Sequence, residues 1–199
     1  MKARKYELTD QHHPSATWLR RIRALVDIPR VGVRAGDLGG WVESEACLAQ
    51  SGDAWVSGDA WISGDAWVSG DARVSGAARV SGDARVSGDA WVSGDAWVSG
   101  SARVFGTAQV SDSDSILTAG PLSSQGHHGT LTRQPGNAHQ IVIGCWTGTV
   151  DQLRALATSD DWPSECDQQT RERYAPRLLA FAALCEAQVA LWTDAEALS

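Results

Sequence analysis

The chain has 199 residues, enough for one elongated domain with appendages or for two small domains. Its formal net charge of −7 is uneven: residues 1–36 carry +5, residues 37–118 carry −8 and residues 119–199 carry −4. A basic start before an acidic body argues against a protein that coats nucleic acid along its length, although the first segment could contact an anion. Without a run of eighteen apolar residues or an apolar secretory start, a soluble, cytoplasmic protein is expected.

The cysteines indicate neither a zinc site nor a disulfide framework, because no two of them have the Cys-x-x-Cys spacing. We expect reduced, partly buried thiols at all four positions, which are Cys47, Cys145, Cys166 and Cys185.

The first predicted element is a half-buried strand at Leu19 to Ile28. Its apolar residues alternate with charged ones, so that Ile22, Ala24, Val26 and Ile28 share one side. The repeats that follow in the sequence predict a stacked coil, and such a coil needs a cap at each end. This strand is the candidate for the N-terminal cap.

The dominant feature is a six-residue repeat. From Ser51 to Val110 ten units follow one another in register, mostly as Ser-Gly-Asp-Ala-Trp/Arg-Val. Ala and the aliphatic residue lie two apart and point to one side of an extended chain, while Trp or Arg points to the other. Gly allows a tight corner of the backbone, and the Asp carboxylate can accept hydrogen bonds from nearby backbone amides.

Such short strands predict a coil with three strands and eighteen residues per turn, stacked at about 4.8 Å. Its interior should admit Ala and Val and nothing larger. We extend the coil upstream to residues 40–42 and 46–48, before a two-residue insertion at Ala49 and Gln50. About four turns result.

The C-terminal third predicts a small unit of strands and helices. Apolar runs at residues 116–117, 130–132 and 140–143 indicate strands separated by turns rich in Gly and Pro. Thr149 to Gln152 has the form of a capping box opening a short helix. Two further helices are predicted, from Glu165 to Tyr174 and from about Pro176 to Trp192.

The residues Arg21 to Leu25 and Arg34 to Glu43, the Gly-Asp-Ala-(Trp/Arg)-Val repeats and the strand running into Gly144-Cys145 resemble YdcK-like β-solenoid proteins. The resemblance is closest to the short members encoded by phages and prophages. The repeat also resembles the hexapeptide pattern of left-handed β-helices. Departures are the basic insertion at Gln11 to Thr17 and the many Trp in the repeats.

The resemblance implies a mainly β protein. We expect an N-terminal cap over residues 1–40, a left-handed parallel β-helix over 41–115 and an α+β unit over 116–199. It implies structure rather than any established reaction.

The outward residues form three faces, since positions eighteen apart should stack. Two faces carry a Trp-Arg-Trp ladder, in which each cation–π contact contributes about 0.5–1 kcal/mol when exposed. Contiguous exposed aromatic patches commonly mark contacts, but such ladders could equally serve only to stiffen the coil. The candidate partner-binding residues are Trp55, Arg73 and Trp91 (with Gln109) on face 1, Trp61, Arg79 and Trp97 on face 2, and Trp67, Arg85 and Arg103 on face 3.

The corner Asp residues are interpreted as acceptors for nearby amides, ahead of calcium ligands, because Ala77 and Ser101 interrupt their rows. Regular carboxylates could also imitate a nucleic-acid backbone, although four interleaved Arg dilute this charge.

Catalytic, anion-binding and metal sites are weaker candidates than the partner-binding faces. Hexapeptide acyltransferases and γ-type carbonic anhydrases use histidines, and the repeat has none. An anion or ligand could meet Arg21, Arg23 and Arg34, or Gly144, Cys145 and Thr147, where a turn at a helix start could lower the pKa of the thiol. A buried, inert Cys145 is the alternative. His127, His128 and His139 could bind a metal across strands, but solvated loop histidines have the same appearance.

The resemblance implies a protein of phage or prophage type, and the outward Trp and Arg residues favour a binding or assembly module, with no catalytic residue, cofactor or metal expected. The partner is another copy of the chain, as a dimer or trimer, or a host or phage protein, with neither membrane nor nucleic acid. Two alternatives are an inhibitor that presents acidic faces to a host defence or DNA-binding protein, and a hexapeptide-type acyltransferase.

Overall fold

The computed structural model describes residues 4–159 and 168–197. The chain divides into two compact units, Met1–Ser115 and Ile116–Ser199. The first contains a β-solenoid and the second a four-stranded sheet with two helices. The protein is therefore mainly β, with a solenoid of about four turns, as the repeat predicts.

The solenoid consists of two-residue strands that recur every six residues. Each pairs in parallel with the strand eighteen residues further along, so that Trp55 faces Arg73 and Val56 faces Val74. The Trp55 amide donates to the Ala72 carbonyl at 3.0 Å, and the following rungs repeat this bond. The strands are β4 (Trp55–Val56), β5 (Trp61–Ile62), β6 (Trp67–Val68), β7 (Arg73–Val74), β8 (Arg79–Val80), β9 (Arg85–Val86), β10 (Trp91–Val92), β11 (Trp97–Val98), β12 (Arg103–Val104) and β13 (Gln109–Val110).

The interior is filled by the small and aliphatic positions of the repeat. Every Ala from Ala54 to Ala108 in the fourth repeat position, and every Val or Ile two residues later, is buried. The expectation that nothing larger than Val fits is wrong, because Ile62 in the repeats and Leu48 in the first turn are also fully buried.

The corners require glycine. At Gly76 φ is +69°, and an added Cβ would lie 2.8 Å from the carbonyl oxygen of Gly94 in the next turn. Both the left-handed conformation and this close approach exclude a side chain. Beside the corner, the Asp53 amide donates to the carboxylate of Asp71 at 3.2 Å, which confirms the acceptor role expected for that carboxylate.

The N-terminal cap is a hairpin rather than one strand. Strands β1 (Tyr6–His13) and β2 (Ala16–Ala24) pair antiparallel, and β2 pairs antiparallel with β3 (Leu38–Val42). The predicted strand from Leu19 to Ile28 is therefore wrong in both bounds, and Val26 is exposed. The last bonds at this end of β2 run from the Ala24 amide to the Asp37 carbonyl at 2.9 Å and from the Leu25 amide to the Lys5 carbonyl at 2.8 Å.

The first turn joins this cap to the repeats with a longer step. Trp41 pairs with Trp61 and Leu48 with Val68, twenty residues apart instead of eighteen. The predicted two-residue insertion at Ala49 and Gln50 explains the difference. The Gln50 side chain accepts from the Lys5 amide at 2.9 Å and donates to the Tyr6 carbonyl at 3.2 Å.

Two polar side chains close the N-terminal end of the core. The Tyr6 hydroxyl donates to the Leu48 carbonyl at 2.7 Å, and the Lys5 ammonium donates to the Ala54 carbonyl at 2.8 Å. Burial lowers the pKa of Lys5 to about 8, although Asp53 and Asp71 oppose the shift, and burial raises the pKa of Tyr6. These bonds satisfy carbonyls of the first turn that no lower rung could reach.

The second unit begins with an antiparallel sheet in the order β14 (Ile116–Ala119), β15 (Gly129–Arg133), β16 (His139–Ile143) and β17 (Trp146–Gly148). Strands were predicted at the first three places, and these are confirmed. The sequence predicts a turn where β17 lies. This segment instead pairs with β16, so that Ile143 faces Trp146. The Gly144 turn, at φ +61°, makes this hairpin possible.

Two helices pack on this sheet. Helix α1 (Val150–Thr158) opens with the predicted capping box, in which Thr149 and Gln152 bond reciprocally. Helix α2 (Gln168–Ala197) is continuous through Pro176, so the predicted break into two helices is wrong. The predicted start at Glu165 lies outside the described residues. The helix continues because Leu178, Phe181 and Cys185 pack into the same core as the sheet. Among the described residues, no helix is long and apolar enough to cross a membrane.

Candidate functional site

The outward side chains of the solenoid stack into the three predicted faces. Face 1 carries Trp55, Arg73, Trp91 and Gln109; face 2 carries Trp61, Arg79 and Trp97; face 3 carries Trp67, Arg85 and Arg103. Parallel pairing in exact register places the Trp and Arg positions of neighbouring turns side by side.

Face 2 continues downward into the cap. Trp41 lies beside Trp61 and Arg21 beside Trp41, so five residues form one ladder. The Arg21 guanidinium lies 5.1 Å from the Trp41 ring centre, and that of Arg79 lies 4.7 Å from the Trp61 ring centre. Both distances fit cation–π stacking. The ladder is therefore longer than the repeats alone indicate.

His13, at the end of β1, covers the lower part of face 2. Its ring centre lies 5.0 Å from that of Trp41, edge-on, and 5.4 Å from that of Trp61. Trp41 is consequently 6% exposed and Trp61 is half-buried. The basic insertion that contains His13 is thus the turn of a hairpin that packs on the solenoid.

Face 1 is covered at its lower end by residues 28–33, which we name the strap. Arg30 of the strap forms salt bridges with Asp71, at 3.3 Å, and with Asp89. In return, Arg73 of the face donates to the Arg30 carbonyl at 2.8 Å. The strap reduces the exposure of Trp55 to 3%.

Three of the five predicted outward indoles remain exposed. Trp67 is 45%, Trp91 48% and Trp97 58% exposed, one on each face. The expectation of five exposed indoles is therefore wrong for Trp55, and weakened for Trp61, because segments N-terminal to the repeats fold back onto them. On face 3 the Arg85 guanidinium lies 5.9 Å from the Trp67 ring centre.

Sequence reasoning missed several residues of these faces. Trp41 was assigned to the solenoid but not to face 2, although the twenty-residue step across the insertion gives its position. His13 and Arg30 carry no comparable signal, because their contacts depend on how the hairpin and strap fold back.

The N-terminal arginines proposed for an anion already have partners in the chain. Arg21 stacks on Trp41 and donates to the Gly39 carbonyl at 3.0 Å, while Arg23 pairs with Glu7 at 3.5 Å. Arg34 is exposed, and its backbone amide donates to the Asp37 carboxylate. Arg21 and Arg23 therefore act mainly in holding the cap together.

The second proposed anion site is not assembled as expected. Gly144 and Cys145 form the turn between β16 and β17, and Thr147 lies in β17. The start of α1 lies at the other end of that strand, so its amides do not face the thiol. Cys145 is exposed, which contradicts the alternative of a buried cysteine, whereas Cys47 and Cys185 are buried. Burial raises the pKa of Cys185 to about 12. Cys166 lies outside the described residues.

The three histidines proposed for a metal are not brought together. His139 starts β16 opposite Arg133, while His127 and His128 precede Gly129, at the far end of the β15–β16 pair, about 14 Å away at the rise of a strand. His139 Nε2 accepts from the Val150 amide at 3.1 Å, and burial lowers its pKa despite Asp151. In the part of the chain that the structure describes, no group of three metal-ligating residues occurs.

Comparison with known proteins identifies the repeat. Residues 66–82 and 78–94 match the family model described as the YdcK β-solenoid repeat. No curated protein matches the chain. The matched residues span turns of all three faces, including Trp67, Arg73, Arg79, Arg85 and Trp91. Residues 66–94 of the solenoid are therefore repeats of the YdcK β-solenoid type.

Proposed function

We propose that this chain is a left-handed, hexapeptide-type solenoid, related to the short YdcK-like proteins of phages and prophages, that acts in the cytoplasm as a binding or assembly module and catalyses no reaction. Its Trp- and Arg-bearing faces contact a second copy of the chain, in a dimer or trimer, or a host or phage protein. The sequence resemblance supports the lineage and the handedness, and the surface supports the role.

The observation that carries the proposal is the contrast between covered and uncovered indoles. Trp41 and Trp55 are almost fully buried by the chain's own hairpin and strap, while Trp67, Trp91 and Trp97 remain about half exposed. Each uncovered indole offers on the order of 100 Å² of apolar surface, worth roughly 2.5 kcal/mol if a partner buries it. Adjacent arginines add the second residue type that is enriched at binding hot spots.

The test is the association state of single-face variants. Sedimentation velocity over a range of concentrations would compare the wild type with Trp67→Ser, Trp91→Ser and Trp97→Ser. We expect the wild type to self-associate and one of the three variants to dissociate at least tenfold more readily, which identifies the face used. The matched control is Trp18→Ser, which removes an indole that is 60% exposed on the hairpin, outside the three faces.

A monomeric wild type whose three exposed indoles are fully quenched by iodide in host lysate as well as in buffer would contradict the proposal. Unchanged association of all three variants would do so too.

The inhibitor alternative draws support from two corners of the solenoid. In the described part of the chain, four exposed carboxylates there form no salt bridge, which suits a basic partner; they are Asp59, Asp65, Asp83 and Asp95. The third corner is partly neutralised by Arg30. An inhibitor should retain one host protein stoichiometrically at low salt and release it at high salt, whereas an apolar contact should survive.

The acyltransferase alternative has less support, because the repeat contributes no histidine and His13 packs against Trp41 and Trp61. A thermal shift with acetyl-CoA tests it directly.

A further inference from the structure

A pocket of about 200 Å³ lies between the strap and face 1. Its apolar walls come from Val31 and Val33 of the strap and from the indoles of Trp55 and Trp91. Its polar lining residues are Arg73, Ser57 and Ser75. The volume is large enough for one ring-sized group.

The pocket is held open by bonds on both sides. Arg30 anchors the strap to Asp71 and Asp89, and Arg73 anchors it to the face through the Arg30 carbonyl. The Trp91 indole N–H donates to Ser75 Oγ at 3.3 Å, which fixes one wall. A pocket whose walls are tied in place requires little ordering when it binds a ligand.

Arg73 is the charged residue among those that line the pocket. The carboxylates nearest to the strap, Asp71 and Asp89, pair with Arg30. Within the described residues Arg73 forms no salt bridge, and its one hydrogen bond, to the Arg30 carbonyl, uses one of the five N–H groups of a guanidinium. Arg73 can therefore offer a charged pair of donors to an anion beside the apolar walls.

We propose that this pocket binds an apolar carboxylate, whose ring lies among Val31, Val33 and Trp91 and whose carboxylate pairs with Arg73. The ligand is either a small aromatic acid or the C-terminal residue of a peptide, which share this chemistry. The claim goes beyond the proposed function, because it assigns a ligand to one pocket, and a partner that covered face 1 would compete with this ligand for Trp91.

The experiment is a titration of the full chain followed by the indole N–H signals in ¹H–¹⁵N spectra, where ten tryptophans report separately. We expect 3-phenylpropionate to shift the signals of Trp91 and Trp55 with a Kd on the order of 1 mM, as suits a ligand of this size. The neutral isostere 3-phenylpropanamide should bind at least tenfold more weakly. If a peptide ending in Phe binds more tightly than phenylpropionate, the ligand is the C-terminus of a peptide. If it does not, the ligand is a small aromatic acid.

Arg73→Gln should weaken binding of phenylpropionate at least tenfold. Arg154→Gln is the control, since it removes an arginine of helix α1 in the second unit, which pairs with Glu186, and should leave the affinity unchanged. If Arg73→Gln unfolds, Val33→Glu, which places a negative charge in the wall, should abolish binding in a folded chain.

Equal binding of the acid and the amide would overturn the proposal. So would shifts centred on Trp67 or Trp97, or an Arg73→Gln variant that binds as the wild type does.

Discussion

Replacement of the stacked corner glycines should destabilise the solenoid, and two of these glycines form a matched pair. Gly76 and Gly100 share the left-handed conformation, at φ +69° and +62°. An added Cβ at Gly76 would lie 2.8 Å from the Gly94 carbonyl oxygen and 2.9 Å from its nitrogen, while at Gly100 it would meet nothing within 4 Å. The two alanine variants therefore differ in the contact between turns and not in backbone conformation.

The expected costs follow from these distances. Gly100→Ala should lower the free energy of unfolding by about 1 kcal/mol, the penalty for a left-handed alanine. Gly76→Ala carries the same penalty, and the two turns must also separate locally. Separation weakens two bonds between the turns, from the Ala77 amide to the Gly94 carbonyl, now 2.8 Å, and from the Ser75 amide to the Val92 carbonyl, now 2.9 Å, at about 1 kcal/mol each. With about 1 kcal/mol for the left-handed alanine, the total is about 3 kcal/mol.

Urea denaturation followed by far-UV circular dichroism measures the difference. With a slope of about 2 kcal/mol per molar urea, the midpoint of Gly76→Ala should lie roughly 1 M below that of Gly100→Ala. The loss of unfolded-chain entropy on replacing Gly by Ala is the same for both and cancels. Equal midpoints would refute the claim that the close approach of the turns is what excludes a side chain at Gly76.

Three further outcomes are expected. Lys5 has a pKa near 8 in the folded chain and 10.5 when unfolded, so between these pH values the unfolded state binds more protons. The free energy of unfolding of the wild type should therefore rise relative to that of Lys5→Met from pH 8 to pH 10. A difference between the two proteins that stays constant with pH in urea denaturation would contradict this. In a Cys166→Ser background, Ellman's reagent should titrate one thiol of the native chain and none after Cys145→Ser; two or more reactive thiols would show that the buried cysteines are accessible. Thr149→Ala should destabilise the second unit by about 1 kcal/mol while Thr149→Ser should not, judged by hydrogen exchange in α1; equal protection in both would refute the cap.

The solenoid could be predicted from the sequence because each of its positions has one physical requirement that repeats every six residues. Ala and Val fill a narrow interior, Gly permits the corner, and the register follows from counting. Even the first turn obeys this count once the insertion at Ala49 and Gln50 is included.

The cap and the covering of the faces could not be predicted in the same way. In β1 the buried residues Tyr6 and Thr9 are three apart, so the two-residue alternation of a strand is absent. The burial of Trp55 depends on Arg30 reaching carboxylates 41 and 59 residues later in the chain, which no local pattern encodes. Pro176 favours a helix end, yet packing of α2 on the sheet outweighs that preference.

The eighteen-residue period makes repeat number a means of changing surface chemistry. Gain or loss of three units lengthens or shortens the rod and preserves each column of outward residues. Loss of a single unit instead rotates everything downstream by about a third of a turn, so that Trp97 moves to a neighbouring column while the interior stays filled by the same Ala and Val. Gain or loss of repeat units can thus rearrange the columns of outward residues without any new point mutation.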